Sequence, residues 1–335
     1  MVEKSELGNH VPESCRYLLH KSEKELRSAI PELARDWSKM VDIENAVKDI
    51  PSNHSFHCLD SRELYNGPPY RSESCSPILN QLIHLVITSP PYFHIKDYEG
   101  HEGQLGEIDE YQRFCDELRK IWEACYDILI PGGRMCVVTG DILQSRRQNG
   151  RHRALPLHST IQEQCREIGF DCFAPIIWYK IGNASLEAGE NARFLGKPYE
   201  PGANIKNDIE YILLFRKPGD YRSPSYSERI LSTLQVDYHR KCYQQIWTDI
   251  QGKNTREHPA PYPYELSERL VSMFSFVGDK VLDPFAGIGT TARAAAHNGR
   301  NSVNIEVNAE YIKIAKNKLE ESLEEEKKTT YITNF

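Results

Sequence analysis

Two short runs in this sequence carry residues whose types and order could do chemistry. In the first, Leu85-Val86-Ile87-Thr88 leads directly into Ser89-Pro90-Pro91-Tyr92. Consecutive prolines fix the backbone and remove two N–H donors, leaving carbonyls as unopposed acceptors. Such a site can accept the hydrogens of an exocyclic amino group, and Tyr92 offers a flat face for stacking on a base. A proline-rich strand terminator would read the same way, so this run alone does not decide. In the second, Val281-Leu282-Asp283 ends a buried strand, Gly287 and Gly289 form a tight turn, and a helix begins at Thr290. Asp283 then stands at the carboxyl end of a strand, where open α/β sheets bind ligands, and the glycines let backbone approach closely. Further on, Asn304-Ile305-Glu306 ends the next strand with an acid, which suits the two donor hydroxyls of a ribose. A dinucleotide fingerprint would place a third glycine where Ala292 stands and would be followed by a second mononucleotide half. A phosphate-binding loop would need Gly-Lys-Ser/Thr, which does not follow.

These runs need a sheet to hold them. Short apolar segments alternate with amphipathic ones from Phe56 onward, the pattern of an α/β architecture with a mostly parallel sheet. Strands are expected at 55–59, 82–88, 135–139, 176–179, 210–215, 280–283 and 302–305, and helices near 108–129, 157–168, 263–274, 290–297 and 309–325. No convincing helix joins the strands at 176–179 and 210–215, which suggests an antiparallel pair. Residues 15–50 have helical periodicity, with Pro31 expected to break or restart the helix. The charged run near 320–328 reads as a solvated helix end.

The composition is that of an ordinary globular chain: 335 residues, 39% hydrophobic and 27% charged, with a formal net charge of −7. The length allows one large domain with insertions, or two. No apolar run approaches the roughly 20 residues of a membrane span, and the N-terminus lacks the features of a secretory signal. Nine scattered cysteines, none in a CxxC pair, suggest a reduced cytoplasmic setting without a zinc ribbon. Charge is uneven: residues 134–256 hold 18 Lys and Arg against 13 Asp and Glu. Within that stretch Arg146, Arg147, Arg151 and Arg153 form one group; Arg222, Arg229, Arg240 and Lys241, interleaved with tyrosines, form another. Polyanion binding needs only a local basic face, though solvated loop charge is an equal reading.

Taken together, the two runs resemble those of the amino-methylating DNA methyltransferases, enzymes dependent on S-adenosylmethionine. Thr88-Ser89-Pro90-Pro91-Tyr92 matches their catalytic motif in the serine form, which is associated mainly with N4-cytosine methylation. Asp283-Pro284-Phe285-Ala286-Gly287-Ile288-Gly289-Thr290-Thr291 matches the cofactor loop, with Ile288 where serine is usual. His258-Pro259-Ala260-Pro261, Asn207-Asp208-Ile209-Glu210-Tyr211 and Cys58-Leu59-Asp60-Ser61 match flanking segments. The catalytic motif precedes the cofactor loop, the order of the beta group. The resemblance runs from about residue 54 to residue 319.

The resemblance implies a Rossmann-like methyltransferase fold: a mostly parallel seven-stranded sheet with an antiparallel strand, a circularly permuted motif order and inserted target-recognition loops. It divides the chain into an N-terminal helical extension (1–53), a catalytic domain (54–319) with recognition segments at about 141–156, 182–206 and 216–250, and a charged tail (320–335). It assigns catalysis to Ser89, Pro90, Pro91 and Tyr92. Glu306 would hold the ribose, Asp60 the adenine amino group, and Asp283, Phe285, Gly287 and Gly289 the methionine side. Ser61, His258, Pro259, Thr290, Thr291, Val307 and Asn308 would complete the cofactor cleft. Arg146, Arg147, Arg151, Arg153, Arg222, Arg240 and Lys241 would contact DNA. The implied partner is duplex DNA, with a cognate restriction endonuclease if the enzyme belongs to a restriction–modification pair, and the protein would be a monomer or homodimer. The target base would be flipped out, and if Tyr92 acts only as a stacking face, Tyr92→Phe should retain most of the activity. Three rivals remain: an N6-adenine enzyme, a glutamine methyltransferase (which carries Asn-Pro-Pro-Tyr and the opposite order), and a DNA-binding protein that has lost catalysis. C5-cytosine chemistry would need a Pro-Cys pair, and the sequence has none.

Overall fold

Leu85-Val86-Ile87 is apolar without alternation because both faces of its strand are covered. Leu85 and Ile87 pack into one helix layer and Val86 into the other. The structure, a computed structural model, describes residues 4–64, 78, 82–93, 104–144, 150–180, 207–252, 262–325 and 330–334. In chain order its elements are α1 (Glu23–Leu33), α2 (Trp37–Lys48), β1 (Ser52–Cys58), β2 (Ile83–Thr88), α3 (Tyr111–Ile128) and β3 (Leu129–Thr139). The hairpin β4 (Ile142–Gln144) and β5 (Arg153–Leu155) follows, then α4 (Leu157–Ile168), β6 (Asp171–Tyr179), β7 (Ile209–Arg216), α5 (Tyr226–Leu231), α6 (Val236–Cys242) and β8 (Ile246–Trp247). The last are α7 (Tyr264–Phe274), β9 (Lys280–Asp283), α8 (Thr290–His297), β10 (Asn301–Glu306), α9 (Ala309–Glu325) and β11 (Thr330–Asn334).

One nine-stranded sheet runs in the order β11-β1-β10-β9-β2-β3-β7-β6-β8. The strands from β11 to β3 pair in parallel, and β7 runs antiparallel to both β3 and β6. The α/β sheet and its antiparallel pair are those expected. The seven expected strands are all present, and β8 and β11 extend the two edges. Helices α3 and α4 cover one face, while α7 and α8 cover the other.

Two elements differ from expectation. Pro31 lies inside α1 without breaking it; it sits in the last turn, where its ring removes only the hydrogen bond that would reach back to Arg27. The helix instead begins at a capping box in which the Ser22 amide donates to Glu25 Oε2 at 2.8 Å. Residues 330–334, expected to lie in a charged tail, pair in parallel with β1. Leu7, Leu18, Leu26, Ile43 and Val47 form a separate cluster with Ile230, Leu231 and Val277.

The useful consequence is at the centre. Strands β9 and β2 are neighbours in register, Leu85 opposite Val281 and Val86 opposite Leu282, so their carboxyl ends finish side by side. The glycine turn and the Ser-Pro-Pro-Tyr run, nearly 200 residues apart in the chain, share one crevice.

Candidate active site

The two runs are joined by Asp283, which is fully buried. Its Oδ1 accepts from Thr88 Oγ1 at 2.8 Å and from the Phe285 amide at 3.0 Å; its Oδ2 accepts from Thr291 Oγ1 at 2.6 Å and from the Tyr262 hydroxyl at 3.0 Å. Burial raises its pKa, while the Thr291, Thr88, Phe285 and Tyr262 donors pull it down. A carboxylate engaged this way is an architectural hub. It ties the residue before Ser89 to the glycine turn and the start of α8.

The turn itself is left-handed at Gly287 (φ +51°) and Gly289 (φ +77°). A Cβ on Gly289 would sit 2.8 Å from Ala315 Cβ on α9, so this glycine serves helix packing. The Gly287 amide donates to Glu306 Oε2 at 2.9 Å, and the Asn308 amide donates to Oε1 at 2.9 Å. Asn308 in turn caps α9, its Oδ1 accepting from the Glu310 amide at 2.9 Å. Thr290 opens α8.

The crevice is lined by Asp60, Ser61, Ser89, Pro90, Pro91, Tyr92, Phe285, Glu306, Val307 and Tyr311, among others. Most of the expected cofactor and catalytic residues are thus gathered at one place; His258 and Pro259 lie outside the described residues. Asp60 is clasped by Arg62, whose Nε lies 2.9 Å from Oδ2 and 3.0 Å from Oδ1. The Ser61 hydroxyl donates to the Pro284 carbonyl, tying the end of β1 to the cofactor turn.

In the catalytic run, Tyr92 donates its hydroxyl to Glu210 Oε1 at 2.8 Å, and Glu210 also pairs with Lys180. Phe93 plugs into the core, its ring 5.4 Å from that of Phe114 and 5.7 Å from that of Tyr111. Sequence reasoning assigned no role to Phe93, Tyr262, Glu210 or Lys180. Glu210 gave a faint signal, a carboxylate on a strand that reads Ile-Glu-Tyr-Ile-Leu-Leu-Phe-Arg.

Residues 83–317 match a DNA methylase family model that spans the N6 and N4 enzymes. The chain belongs to this DNA methylase family. The type II methyltransferase M.MjaI of Methanocaldococcus jannaschii is 34% identical over 292 residues, covering 77% of this chain and 88% of that protein. M.MthZI of Methanothermobacter thermautotrophicus is 31% identical, covering 75% of each. The putative DNA modification methylase TTHA0409 of Thermus thermophilus, solved with S-adenosyl-L-methionine, is 41% identical with a TM-score of 0.64, covering 84% of this chain and 99% of that one.

The crevice of this DNA methylase fits that cofactor chemically. Glu306 is a partly buried carboxylate at a strand end, its lone pairs only partly used by two amides, and Phe285 and Tyr311 supply apolar walls. Burial raises the Glu306 pKa, with the Asn308 and Gly287 amides opposing. Ribose hydroxyls donate best to the ionised carboxylate, so cofactor binding should draw off any proton Glu306 holds. Affinity is expected to fall as pH drops through a value above the ordinary glutamate range. Glu306→Ala should weaken binding by about 1–3 kcal/mol, and Glu306→Gln should flatten the pH dependence. Calorimetry across pH checks both; unchanged affinity in the alanine variant would remove Glu306 from the ribose site.

The two basic groups of the methylase fall at opposite edges of the sheet. Hairpin β4–β5 follows β3 at the carboxyl edge, beside the catalytic run, and carries exposed Arg151 and Arg153. Arg153 donates to Gln144 across the hairpin. Arg146 and Arg147 lie outside the described residues, as do 182–206. The second group sits elsewhere. Arg222 pairs with buried Asp279, just before β9 begins, at the amino edge. Arg229 pairs with Glu23, Arg240 with Asp237, and Lys241 with Asp249 at 2.8 Å. These cations are held by carboxylates of the same chain, and Arg222 stands at the far end of β9 from Asp283, so the second group is left out of the DNA interface proposed below.

Proposed function

We propose that this methylase transfers a methyl group to the exocyclic N4 of cytosine in duplex DNA, with the target base flipped out of the helix. The observation that carries the reading is Ser89. Thr88, its neighbour, spends its hydroxyl on Asp283, whereas Ser89 lines the crevice with no hydrogen-bond partner for its side chain among the described residues. A hydroxyl the fold does not use is available to a substrate. S-adenosylmethionine, when bound, supplies an electrophilic methyl group on a sulfonium.

The chain's own residues do the rest. Amino nitrogen on cytosine is a poor nucleophile because its lone pair is delocalised into the ring. Ser89 and the Pro90 carbonyl accept its hydrogens, which turns the nitrogen towards sp3 and frees the lone pair for direct, in-line transfer; the methylated nitrogen then gives up one of those hydrogens as a proton, past the Ser89 hydroxyl, to solvent. Positioning and preorganised electrostatics then lower the barrier without a covalent enzyme intermediate. Tyr92 stacks on the flipped base, and Glu210 fixes the angle of its ring through the 2.8 Å hydrogen bond.

That bond changes the expectation for Tyr92→Phe. The lost hydrogen bond to a carboxylate should lower kcat/KM by about tenfold or more, and Tyr92→Ala should lose the stacking as well. Steady-state kinetics decides: a Phe variant at wild-type activity would mean that the ring alone suffices.

The β4–β5 hairpin supplies the DNA-facing cations Arg151 and Arg153, and the same role is assigned to Arg146 and Arg147, which lie outside the described residues. Replacing Arg151 and Arg153 with Ala should weaken duplex binding and flatten the log affinity–log salt slope by about one for each phosphate that is no longer neutralised. Cofactor affinity should stay unchanged; a wild-type slope would take the hairpin off the DNA face. The enzyme would serve either in a restriction–modification pair or as an orphan modification enzyme. Nucleoside mass spectrometry of methylated duplex tests the central claim. N4-methyldeoxycytidine is expected, and N6-methyldeoxyadenosine would overturn the choice of base while leaving the chemistry in place.

A further inference from the structure

Strands β3 and β7 place Arg134 directly opposite Arg216. Like charges facing each other across an antiparallel pair destabilise a sheet. Arg134 lies 4.6 Å from the Phe173 ring and 5.7 Å from the Phe274 ring, and no carboxylate pairs with it among the described residues. Arg216 has Asp171, half-exposed and 3.7 Å away, donates from Nη2 to the Gly219 carbonyl at 3.0 Å, and its guanidinium lies 4.8 Å from the Tyr221 ring. Its buried Nε has no hydrogen-bond partner among the described residues. Burial and the neighbouring Arg216 both disfavour the charge on Arg134. Nothing in the active site accounts for this pair, which lies at the amino edge of the sheet, away from Ser89 and Asp283.

The pair opens into a cavity of about 660 Å³ with no Asp or Glu in its lining. One wall comes from α1 and the turn after it, including exposed Arg35; another comes from 221–243, with His239 and the exposed rings of Tyr221 and Tyr243. Both walls are the parts of the chain that fit no sheet–helix unit. The cavity therefore exists because the N-terminal segment packs against 226–231.

The geometry points to a second ligand site here, one that takes a nucleotide: its phosphate between Arg134, Arg216 and Arg35, and its base on the exposed tyrosine rings. Guanidinium forks match phosphate oxygens, and a doubly charged phosphate relieves the repulsion between the facing arginines. Aromatic faces accept any base. Two sources carry that chemistry, a free mononucleotide and the terminal nucleotide of a DNA strand.

Calorimetric titration of the full chain with uridine 5′-monophosphate tests the site, with S-adenosylhomocysteine saturating the cofactor crevice. One nucleotide per chain is expected to bind, more tightly than inorganic phosphate. Arg134→Met keeps the apolar stem between the phenylalanine rings and should weaken binding about tenfold or more. Arg35→Ala, on an exposed position that folding does not need, should weaken it to a lesser degree. Displacement by oligothymidylate would support the site with a DNA strand as its source, and no displacement would support it with the free nucleotide. No binding to the wild type, or equal affinity in both variants, would overturn the site; phosphate binding as tightly as the nucleotide would overturn the role given to the rings.

Discussion

Asp283→Ala is expected to lower unfolding stability by about 3 kcal/mol or more and to abolish methyl transfer. The magnitude comes from what the carboxylate leaves behind. Three hydroxyls and one amide, all turned towards a fully buried atom pair, lose their acceptor together. Burial makes the ionised carboxylate costly in itself, so the loss reflects the orphaned donors more than the missing charge. Asp283→Asn preserves the shape and one acceptor and should fall between the alanine variant and the wild type. Urea midpoints at constant slope measure the effect. A loss below about 1 kcal/mol would mean that the four donors find other partners, and that the hub is dispensable.

The second large effect is on turnover alone. Ser89→Ala should reduce kcat by about a hundredfold, the usual cost of removing one preorganised polar contact to a reacting group. Stability and cofactor affinity should barely move, because the Ser89 hydroxyl has no intramolecular partner among the described residues. Single-turnover kinetics with saturating cofactor isolates the step. If Ser89→Ala unfolds at lower urea or loses cofactor affinity in proportion to its activity, the hydroxyl is structural and the account of amino-group activation fails.

The parts of this fold that were legible in the sequence are those where one physical rule dominates. Strands β2, β3 and β7 could be read because buried strands are runs rich in Val, Ile and Leu bounded by turn residues, whereas β1, Ser-Asn-His-Ser-Phe-His-Cys, carries no such run. Helices α3, α4, α7, α8 and α9 could be read because one apolar face recurs at helical spacing. The edge strand β11 could not, since Thr-Tyr-Ile-Thr-Asn follows a charge run and only the presence of β1 makes it a strand. Pro31 misled because the cost of a proline depends on how close to the helix end it falls.

In the site, residue types identified the cleft, and three-dimensional pairing then redistributed the roles. Asp283 and Gly289 were expected on the methionine side of the cleft; in the fold Asp283 also anchors Thr88, Thr291, Tyr262 and the Phe285 amide, and Gly289 lies close against Ala315. Charge density drew equal attention to Arg151 and to Arg222, and only the direction of the strands separates them, because one group follows the carboxyl end of β3 and the other precedes the amino end of β9. The role of Glu210 depends on a contact across 118 residues, which no local pattern encodes.

The hydrogen bond between Thr88 and Asp283 spans 195 positions, and it has a cost during synthesis. At ribosomal speeds, β2 emerges roughly 10–40 s before β9 is available to pair with it. For that interval a strand destined for the middle of the sheet has a bare edge of unsatisfied amides and carbonyls on its β9 side, with Leu85 and Ile87, whose layer comes from α7 and α8, uncovered beside it. Such an edge is a template for pairing with another nascent chain. Aggregation during expression should therefore respond to the rate of translation between these two strands more than to the stability of the finished fold. Slowing the ribosome there lengthens the exposure, and chaperones that bind extended apolar segments should act at β2.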